Sequence, residues 1–336
     1  MREEVIYAVI DIGTNTVLML ALTESATQTV GIDSEVSAPP ALLPVHEYCT
    51  TTRLGEGLGA TGRLGDKPVA RTLAAVKSFV DRTKAWSDGG CGVAVATSAV
   101  RDAANAADFL QRCQSYLDSP PHLLSGAEEA RTIFAGASSD RRMDEPLVCI
   151  DIGGGSTEVS AGTRRACAFS ASLDIGCVRF GEKYSLYETP SPRNISAAKD
   201  AVESFIEPVC STMKSTLFSL APGKPTIIVS GGTATTFAAI DAGIESYDAG
   251  CVHGYESTNE RVRQLRDRMW QMSVSERAAC PGMPEGRAPV FPGGLFILSL
   301  LLDFLNADRF TVTTRGLRFG AGLRLQQRDL EPCWSW

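Results

Sequence analysis

The feature that most constrains this chain is a short word that occurs twice. Asp11-Ile-Gly-Thr follows a β-rich apolar run at residues 5–10 and precedes a second apolar run at 17–22. Asp151-Ile-Gly-Gly stands 140 residues later, inside residues 147–162, again between two strand-like segments. A strand ending in Asp, a glycine turn and a returning strand form a hairpin, and one such hairpin per half predicts two related α/β halves. The rest of the chain alternates in the same way. Residues 69–86 carry Leu73, Val76, Phe79 and Val80 at helical spacing with Pro68 near the first turn, residues 93–97 read as a strand, and residues 103–116 read as a helix. Further on, residues 226–229 are strand-like, 295–305 helical, 311–314 strand-like and 317–328 helical. Ser119-Pro-Pro121 and Ser125-Gly126 punctuate the chain and predict a boundary near 120–126.

Length and composition narrow the class. At 336 residues the chain is long enough for two cores, and 44% apolar with 21% charged residues excludes global disorder. The longest apolar stretch, residues 295–305, contains Ser299 and Asp303 and falls short of the roughly 20 residues a membrane helix needs. The apolar run at 5–10 is too short for a secretory signal, so the expected location is cytoplasmic. A formal charge of −7, from 32 basic and 39 acidic side chains, argues against a general DNA or RNA binder. Ten cysteines without any C-x-x-C spacing read as thiols in a reducing compartment, and three histidines are too few and scattered for a multi-histidine metal site.

The repeated hairpins carry the chemistry. Gly13, Gly153, Gly154 and Gly155 permit positive φ and let main-chain N–H groups approach an anion, while Thr14, Ser156 and Thr157 add hydroxyl donors. Asp11 and Asp151 stand where a carboxylate can hold Mg²⁺ directly or through water, and Glu158 is placed to join them. Ser230-Gly231-Gly232-Thr233 reads equally as an anion-binding turn or as a tight packing turn. Glu128 and Glu129 open a helix, either as a solvated first turn or with one of them oriented as a general base. Arg101 could clamp a phosphoryl oxygen or form a surface ion pair. Gly57-Leu-Gly59-Ala-Thr-Gly62 matches a dinucleotide fingerprint literally but lacks the strand–turn–helix context.

Taken together these words resemble the exopolyphosphatase/guanosine pentaphosphate phosphohydrolase (Ppx/GppA) family of the actin–hexokinase–Hsp70 superfamily. The match runs nearly end to end through Val9-Ile-Asp-Ile-Gly-Thr-Asn-Thr16, Arg53-Leu-Gly-Glu-Gly-Leu58, Ala96-Thr-Ser-Ala-Val-Arg101, Ser125-Gly-Ala-Glu-Glu-Ala-Arg131 and Ile150-Asp-Ile-Gly-Gly-Gly-Ser-Thr-Glu158. It continues through Ser230-Gly-Gly-Thr-Ala-Thr235, Val252-His-Gly-Tyr255, Pro281-Gly-Met with Arg287, and Thr314-Arg-Gly-Leu-Arg318. The resemblance implies two ribonuclease-H-like domains around a central cleft, with residues 1–124 and 317–336 in one and 125–316 in the other. It implies Mg²⁺-dependent (alternatively Mn²⁺-dependent) hydrolysis of a terminal phosphoanhydride. By position, Glu129 looks like the residue that orients or deprotonates water, and Asp11, Asp151 and Glu158 like the metal-side acids. Gly13, Thr14, Asn15, Gly153, Gly154, Gly155, Ser156, Gly231 and Gly232 look like the phosphate cradle, and Arg101 and Arg287 like anion clamps. Longer family members carry a further C-terminal helical region that has no counterpart in these 336 residues.

Polyphosphate is the expected substrate, with guanosine pentaphosphate as the alternative. The same hairpins would also serve a superfamily kinase using ATP, or a sensor that binds polyphosphate or an alarmone without turnover. Arg141, Arg142, Arg164 and Arg165, and the helix-like set Arg261, Arg263, Arg266 and Arg268, are each either a grip for a long anion or a solvated face. Whether the chain forms a homodimer is open at this level.

Overall fold

The computed structural model describes residues 5–25, 41–86, 89–220, 224–245 and 247–336. The chain divides into two compact units, one comprising residues up to Leu124 together with Leu317–Trp336, the other Ser125–Gly316. The first unit begins with β1 (Ile6–Ile12), β2 (Thr16–Glu24), β3 (Leu42–Thr51), α1 (Leu58–Thr61), α2 (Asp66–Thr83) and β4 (Gly90–Ala96). It continues with α3 (Ser98–Arg101), α4 (Ala106–Gln114) and β5 (His122–Leu123). The second unit contains α5 (Gly126–Ser138), β6 (Leu147–Ile152), β7 (Thr157–Thr163), β8 (Ala166–Leu173), α6 (Cys177–Tyr184), α7 (Pro192–Leu220) and β9 (Thr226–Ser230). After these come α8 (Gly231–Asp241), α9 (Ala249–Val252), β10 (Glu256–Thr258), α10 (Asn259–Gln271), α11 (Val274–Ala278), α12 (Phe291–Phe304) and β11 (Arg309–Val312). α13 (Leu317–Gln326) and β12 (Trp334–Ser335) then complete the first unit.

Both sheets follow one plan. In the first, β3-β2-β1 is an antiparallel meander and β4 joins β1 in parallel, with β5 parallel and β12 antiparallel to β4. In the second, β8-β7-β6 is the meander, β9 runs parallel to β6, β11 parallel to β9, and β10 closes the edge antiparallel. The shared order, a hairpin meander followed by parallel strands, is the ribonuclease-H-like arrangement.

The apolar strands form because Val9, Ile10 and Ile12, and likewise Val148, Ile150 and Ile152, are wholly buried. Each such side chain contributes about 1.5–3 kcal/mol relative to exposure. α2 covers part of the first sheet with Val69, Leu73, Val76 and Val80, a stripe at helical spacing. α12 buries Phe291, Leu295, Phe296, Ile297, Leu298, Leu301 and Leu302, so it is apolar nearly all round and lies inside the second core. Among the described residues no helix is long and apolar enough to cross a membrane. Cys113, Cys149, Cys177, Cys210 and Cys333 are buried thiols.

Two boundaries differ from the sequence reading for identifiable reasons. The helix expected over 103–116 starts only at Ala106, because the Asn105 side chain accepts from Leu64 N–H (2.9 Å) and donates to Leu64 C=O (3.0 Å) instead of joining a helical turn. The strand expected over 311–314 ends at Val312, since the Thr313 and Thr314 side chains turn to the His253 ring. The Gly57–Gly62 word is no dinucleotide turn. Gly57 (φ 72°) and Gly62 (φ 66°) are left-handed caps on the four-residue α1.

Candidate active site

Each unit presents one hairpin, and the two turns share a geometry. Gly13 N–H donates to Thr16 C=O at 3.0 Å and Gly153 N–H to Ser156 C=O at 3.0 Å. In each, a Cβ on the glycine would sit 3.1 Å from that same carbonyl. The freedom for positive φ that Gly13, Gly153, Gly154 and Gly155 offer is not used, since none of the four has it. At Gly13 and Gly153 what the turn needs is close approach of backbone to backbone, and the left-handed glycine of the site is Gly231, with φ 85°.

In the first unit Asp11 ends β1 opposite Leu18 on β2 and beside Val95 on β4. Thr14 and Asn15, in the turn, are buried at 8% and 6% exposure, and the Asn15 amide nitrogen has no hydrogen-bond partner among the described residues. The Arg53-Leu-Gly-Glu-Gly word braces this turn. Thr52 and Arg53 N–H both donate to Asn15 C=O (3.0 and 2.9 Å), and Gly55 N–H donates to Thr14 C=O (2.9 Å). Gly55 is tight against Thr14, whose methyl would lie 2.3 Å from an added Cβ. Arg101 closes α3 and donates from Nη1 to Leu124 C=O at 3.0 Å.

In the second unit the hairpin carbonyls are turned into α6. Cys177 N–H donates to Gly153 C=O, Val178 and Arg179 N–H to Gly154 C=O, and Arg179 Nε to Gly155 C=O at 2.6 Å. Gly176 has to be a glycine here, because a Cβ would lie 2.4 Å from Gly154 C=O. Ser156 is buried in this turn. Asp151 ends β6 opposite Glu158 on β7 and beside Ser230 on β9, whose hydroxyl donates to Asp151 Oδ2 at 2.5 Å. Gly231 leaves room for that carboxylate, since a Cβ there would meet Asp151 Oδ1 at 2.6 Å. Gly232 does the same for Arg287, whose Nη2 lies 1.9 Å from the position of a Cβ. Burial pushes the Asp151 carboxyl up, and the Ser230 hydroxyl and the Arg287 charge pull it back down.

The adjacent glutamates separate. Ser125 caps α5 and exchanges a capping box with Glu128, whose carboxylate accepts from Ser125 N–H (2.9 Å) and Oγ (2.6 Å). Glu129 is buried, at 6% exposure. Gly126 brings this end of the helix down on β8, where a Cβ would lie 2.6 Å from Ser172 Cβ, and Ser172 Oγ donates to Glu158 Oε1 at 2.7 Å. Burial pushes the Glu158 carboxyl well above the ordinary range, and the negative charges of Glu129 and Asp151 push it further. The charges of Glu129 and Asp151 thus both bear on the buried Glu158. Among the described residues no three His, Cys, Asp or Glu side chains form a ready-made metal cage.

The structure therefore groups Glu129, Asp151, Glu158, Gly153–Gly155, Ser156, Gly231, Gly232 and Arg287 in the second unit, and Asp11, Gly13, Thr14, Asn15 and Arg101 in the first. Sequence reasoning gave no role to Ser172 and read Ser230 only as part of a glycine turn; their hydroxyls hold Glu158 and Asp151, a pairing across strands that no local pattern encodes. The basic groups offered as grips for a long anion are mostly neutralised locally. Arg165 pairs with Asp144 (2.6 Å), Arg141 with Asp140 (3.6 Å), Arg261 with Asp241 (2.7 Å), Arg266 with Asp267 (2.8 Å) and Arg263 with Asp303.

Comparison with known proteins bears on this geometry. The profile of the Ppx/GppA phosphatase family matches residues 32–328. Exopolyphosphatase 2 of Mycobacterium tuberculosis is 31% identical over 328 residues, covering 95% of this chain and 98% of that protein. The crystal structure of an exopolyphosphatase-like protein superposes with a TM-score of 0.84 at 27% identity, covering 97% of this chain and all (100%) of the other. An exopolyphosphatase from Cytophaga hutchinsonii shares the fold, with a TM-score of 0.81 at 23% identity over 96% of this chain and 98% of its own. A strand–glycine–strand turn in each half, buried acids at one of them and a family match across most of the sequence lead to one statement: the chain belongs to the Ppx/GppA phosphatase family and is a hydrolase of phosphoanhydride bonds.

Proposed function

We propose that this protein is a Mg²⁺-dependent exopolyphosphatase of the cytoplasm that releases orthophosphate from the end of inorganic polyphosphate, with guanosine pentaphosphate as a second substrate of the same chemistry. The observation that carries the reading is the buried pair Glu129 and Glu158 with the half-buried Asp151, beside a glycine hairpin and the Arg287 guanidinium.

The donor set fits a hard divalent cation. All three groups are carboxylates; burial disfavours the ionised forms of Asp151 and Glu158, the charges of Glu129 and Asp151 add to this at Glu158, and a dipositive ion offsets both costs. Mg²⁺ keeps several waters and takes one or two carboxylates plus substrate oxygens, so a site of this kind does not require a complete protein cage. Asp151 and Glu158 are the residues that would hold it, and Asp11 is assigned to the cation side of a phosphate at its own hairpin. When bound, Mg²⁺ supplies neutralisation of charge on the phosphoryl oxygens.

The protein's own groups do the rest. With the carbonyls of Gly153, Gly154 and Gly155 engaged by α6, the hairpin offers its N–H edge to the terminal phosphoryl group. Arg287 holds non-bridging oxygens, and in the first unit the unpartnered Asn15 amide is a donor suited to another phosphate. Glu129 orients a water in line with the bridging oxygen and takes its proton. The water oxygen bonds to phosphorus, the bridging P–O bond breaks, and the shortened chain leaves with that oxygen. The test is phosphate release from polyphosphate and from guanosine pentaphosphate by purified protein at matched Mg²⁺. Release from polyphosphate that is abolished by Glu129→Ala supports the reading. No release from either substrate, or equal release by the variant, rejects it.

A further inference from the structure

Two of the sequence words, Val252-His-Gly-Tyr255 and Thr314-Arg-Gly316, have no part in the reaction as described, yet they meet at one side chain. His253 Nε2 lies 2.8 Å from Asp140 Oδ2. His253 Nδ1 lies 3.3 Å from Thr314 N, 3.3 Å from Thr313 Oγ1 and 3.4 Å from Thr314 Oγ1. A main-chain N–H only donates, so Nδ1 is the acceptor and the ring proton sits on Nε2, directed at Asp140. The imidazole is thereby fixed in one tautomer between two elements of the second unit.

Those elements are the ones that carry the acids. Asp140 lies just beyond the C-terminal end of α5, whose first turn bears Glu129. Arg315 strengthens the same tie, donating from Nη1 to Ser139 Oγ at 3.2 Å with its Nε 3.8 Å from Asp140 Oδ2. On the other side, Thr313 N–H donates to Val229 C=O at 2.9 Å, and the turn ends in Gly316, where a Cβ would lie 3.4 Å from Asp151 Oδ2. The loop of His253 is bound to the same strand end, since Gly254 N–H donates to Val312 C=O and Val312 N–H to Tyr255 C=O, both at 2.8 Å.

We propose that Asp140 and His253 are positioning residues that lock the far end of α5 to the turn behind Asp151 and so hold Glu129 in register with Asp151. This inference rests on the exopolyphosphatase reading for its kinetic readout. α5 has 13 residues and is about 20 Å long, and a helix of that length moves as a rod. Its first turn is held by the capping box and its last by the Asp140–His253 bridge. A shift of about 1 Å in a reacting group costs up to about 10²-fold in rate even when the change is remote.

The experiment compares His253→Asn, which keeps an acceptor near the Nδ1 position but cannot reach Asp140, with His253→Gln, which reaches towards Asp140 but lacks that acceptor, and with the milder Asp140→Asn. Polyphosphate turnover, the thermal midpoint and amide hydrogen exchange over residues 313–317 are measured for each. The expected result for both histidine variants is kcat lowered about tenfold or more with KM within about twofold of wild type. Asp140→Ala combined with His253→Ala should cost no more than either alone. Variants that melt lower yet keep the wild-type kcat would reduce the bridge to a structural tie and overturn the proposal. If wild type releases no phosphate, the exopolyphosphatase reading fails by itself, and exchange decides the inference. Faster exchange at Thr314 and Arg315 in His253→Asn, which keeps the acceptor for Thr314 N–H and loses only Asp140, upholds the bridge, and unchanged exchange refutes it.

Discussion

The two hairpins of this protein are the same turn in different chemical surroundings. Both close with a glycine N–H to a carbonyl three residues on at 3.0 Å, and both follow an aspartate at the end of a buried strand. Across the meander, Asp11 faces Leu18, whereas Asp151 faces Glu158. On the parallel side, Asp11 has Val95 and Asp151 has Ser230. Two differences at equivalent register positions thus leave Asp11 beside apolar neighbours and set Asp151 beside an acid and a hydroxyl, and the charge of Glu129 on α5 adds to that acid cluster. A repeated fold fixes where a polar group can be placed, and the side chains at two cross-strand positions decide which half gathers the acids.

The largest test of this contrast lies within the adjacent glutamates. Glu129→Gln should lower kcat for phosphate release by about 10²–10⁴-fold. Glu128→Gln should leave kcat near wild type and cost about 0.5–1 kcal/mol of stability in urea unfolding, the worth of part of a helix cap. Next in size, Asp151→Asn should cost about 10–100-fold in turnover at saturating Mg²⁺, and Asp11→Asn about tenfold less than that. Equal losses would show that the two halves share the metal chemistry evenly and would break the comparison.

A smaller effect separates the braces behind the turns. Gly176→Ala drives a methyl into the Gly154 carbonyl, which cannot move without the hairpin, and should destabilise by about 1–3 kcal/mol. Gly55→Ala overlaps a side-chain methyl, that of Thr14, and no backbone atom closer than 3.5 Å, and should cost less than Gly176→Ala. Thermal melts of the two variants check the order.

The smallest effect is a gain. The Glu158 carboxyl titrates higher in the folded than in the unfolded chain, so its contribution to stability is full at low pH and is lost as pH rises through the folded value. Glu158→Gln should therefore melt higher than wild type by an amount that grows with pH, about 2–4 °C for each kcal/mol recovered. Mg²⁺ should stabilise wild type more than the variant, and melting with and without the ion measures both.

Much of the plan was legible in the sequence because it rests on strong local signals. The apolar runs on either side of Asp11-Ile-Gly-Thr and Asp151-Ile-Gly-Gly are the β1–β2 and β6–β7 hairpins, and the 3.6-residue stripe from Val69 to Val80 is the buried face of α2. β3 was missed because most of its residues are exposed, Leu43 and Val45 among them, so an edge strand shows no alternation to read. β8 was missed because Ala and Ser dominate it. At the site, residue types were readable and their division of labour was only partly so. Ser125-x-x-Glu128 is a capping-box pattern, so the sequence held the signal that assigns Glu128 to the backbone. The tie between Asp140 and His253 spans 113 positions and no local pattern encodes it.

The return of residues 317–336 to the first unit has a consequence for how the protein is made. The described strands and helices of the second unit are translated before α13 and β12 exist, while the Cys91–Gly92 stretch of β4 waits for its edge partner. Gly90 and Gly92 are glycines because the indoles of Trp336 and Trp334 lie on them, so until those rings arrive the start of β4 lacks that cover. The half synthesised first is finished last, and a nascent chain halted before residue 317 would carry the acids of the second unit while the first unit is still incomplete.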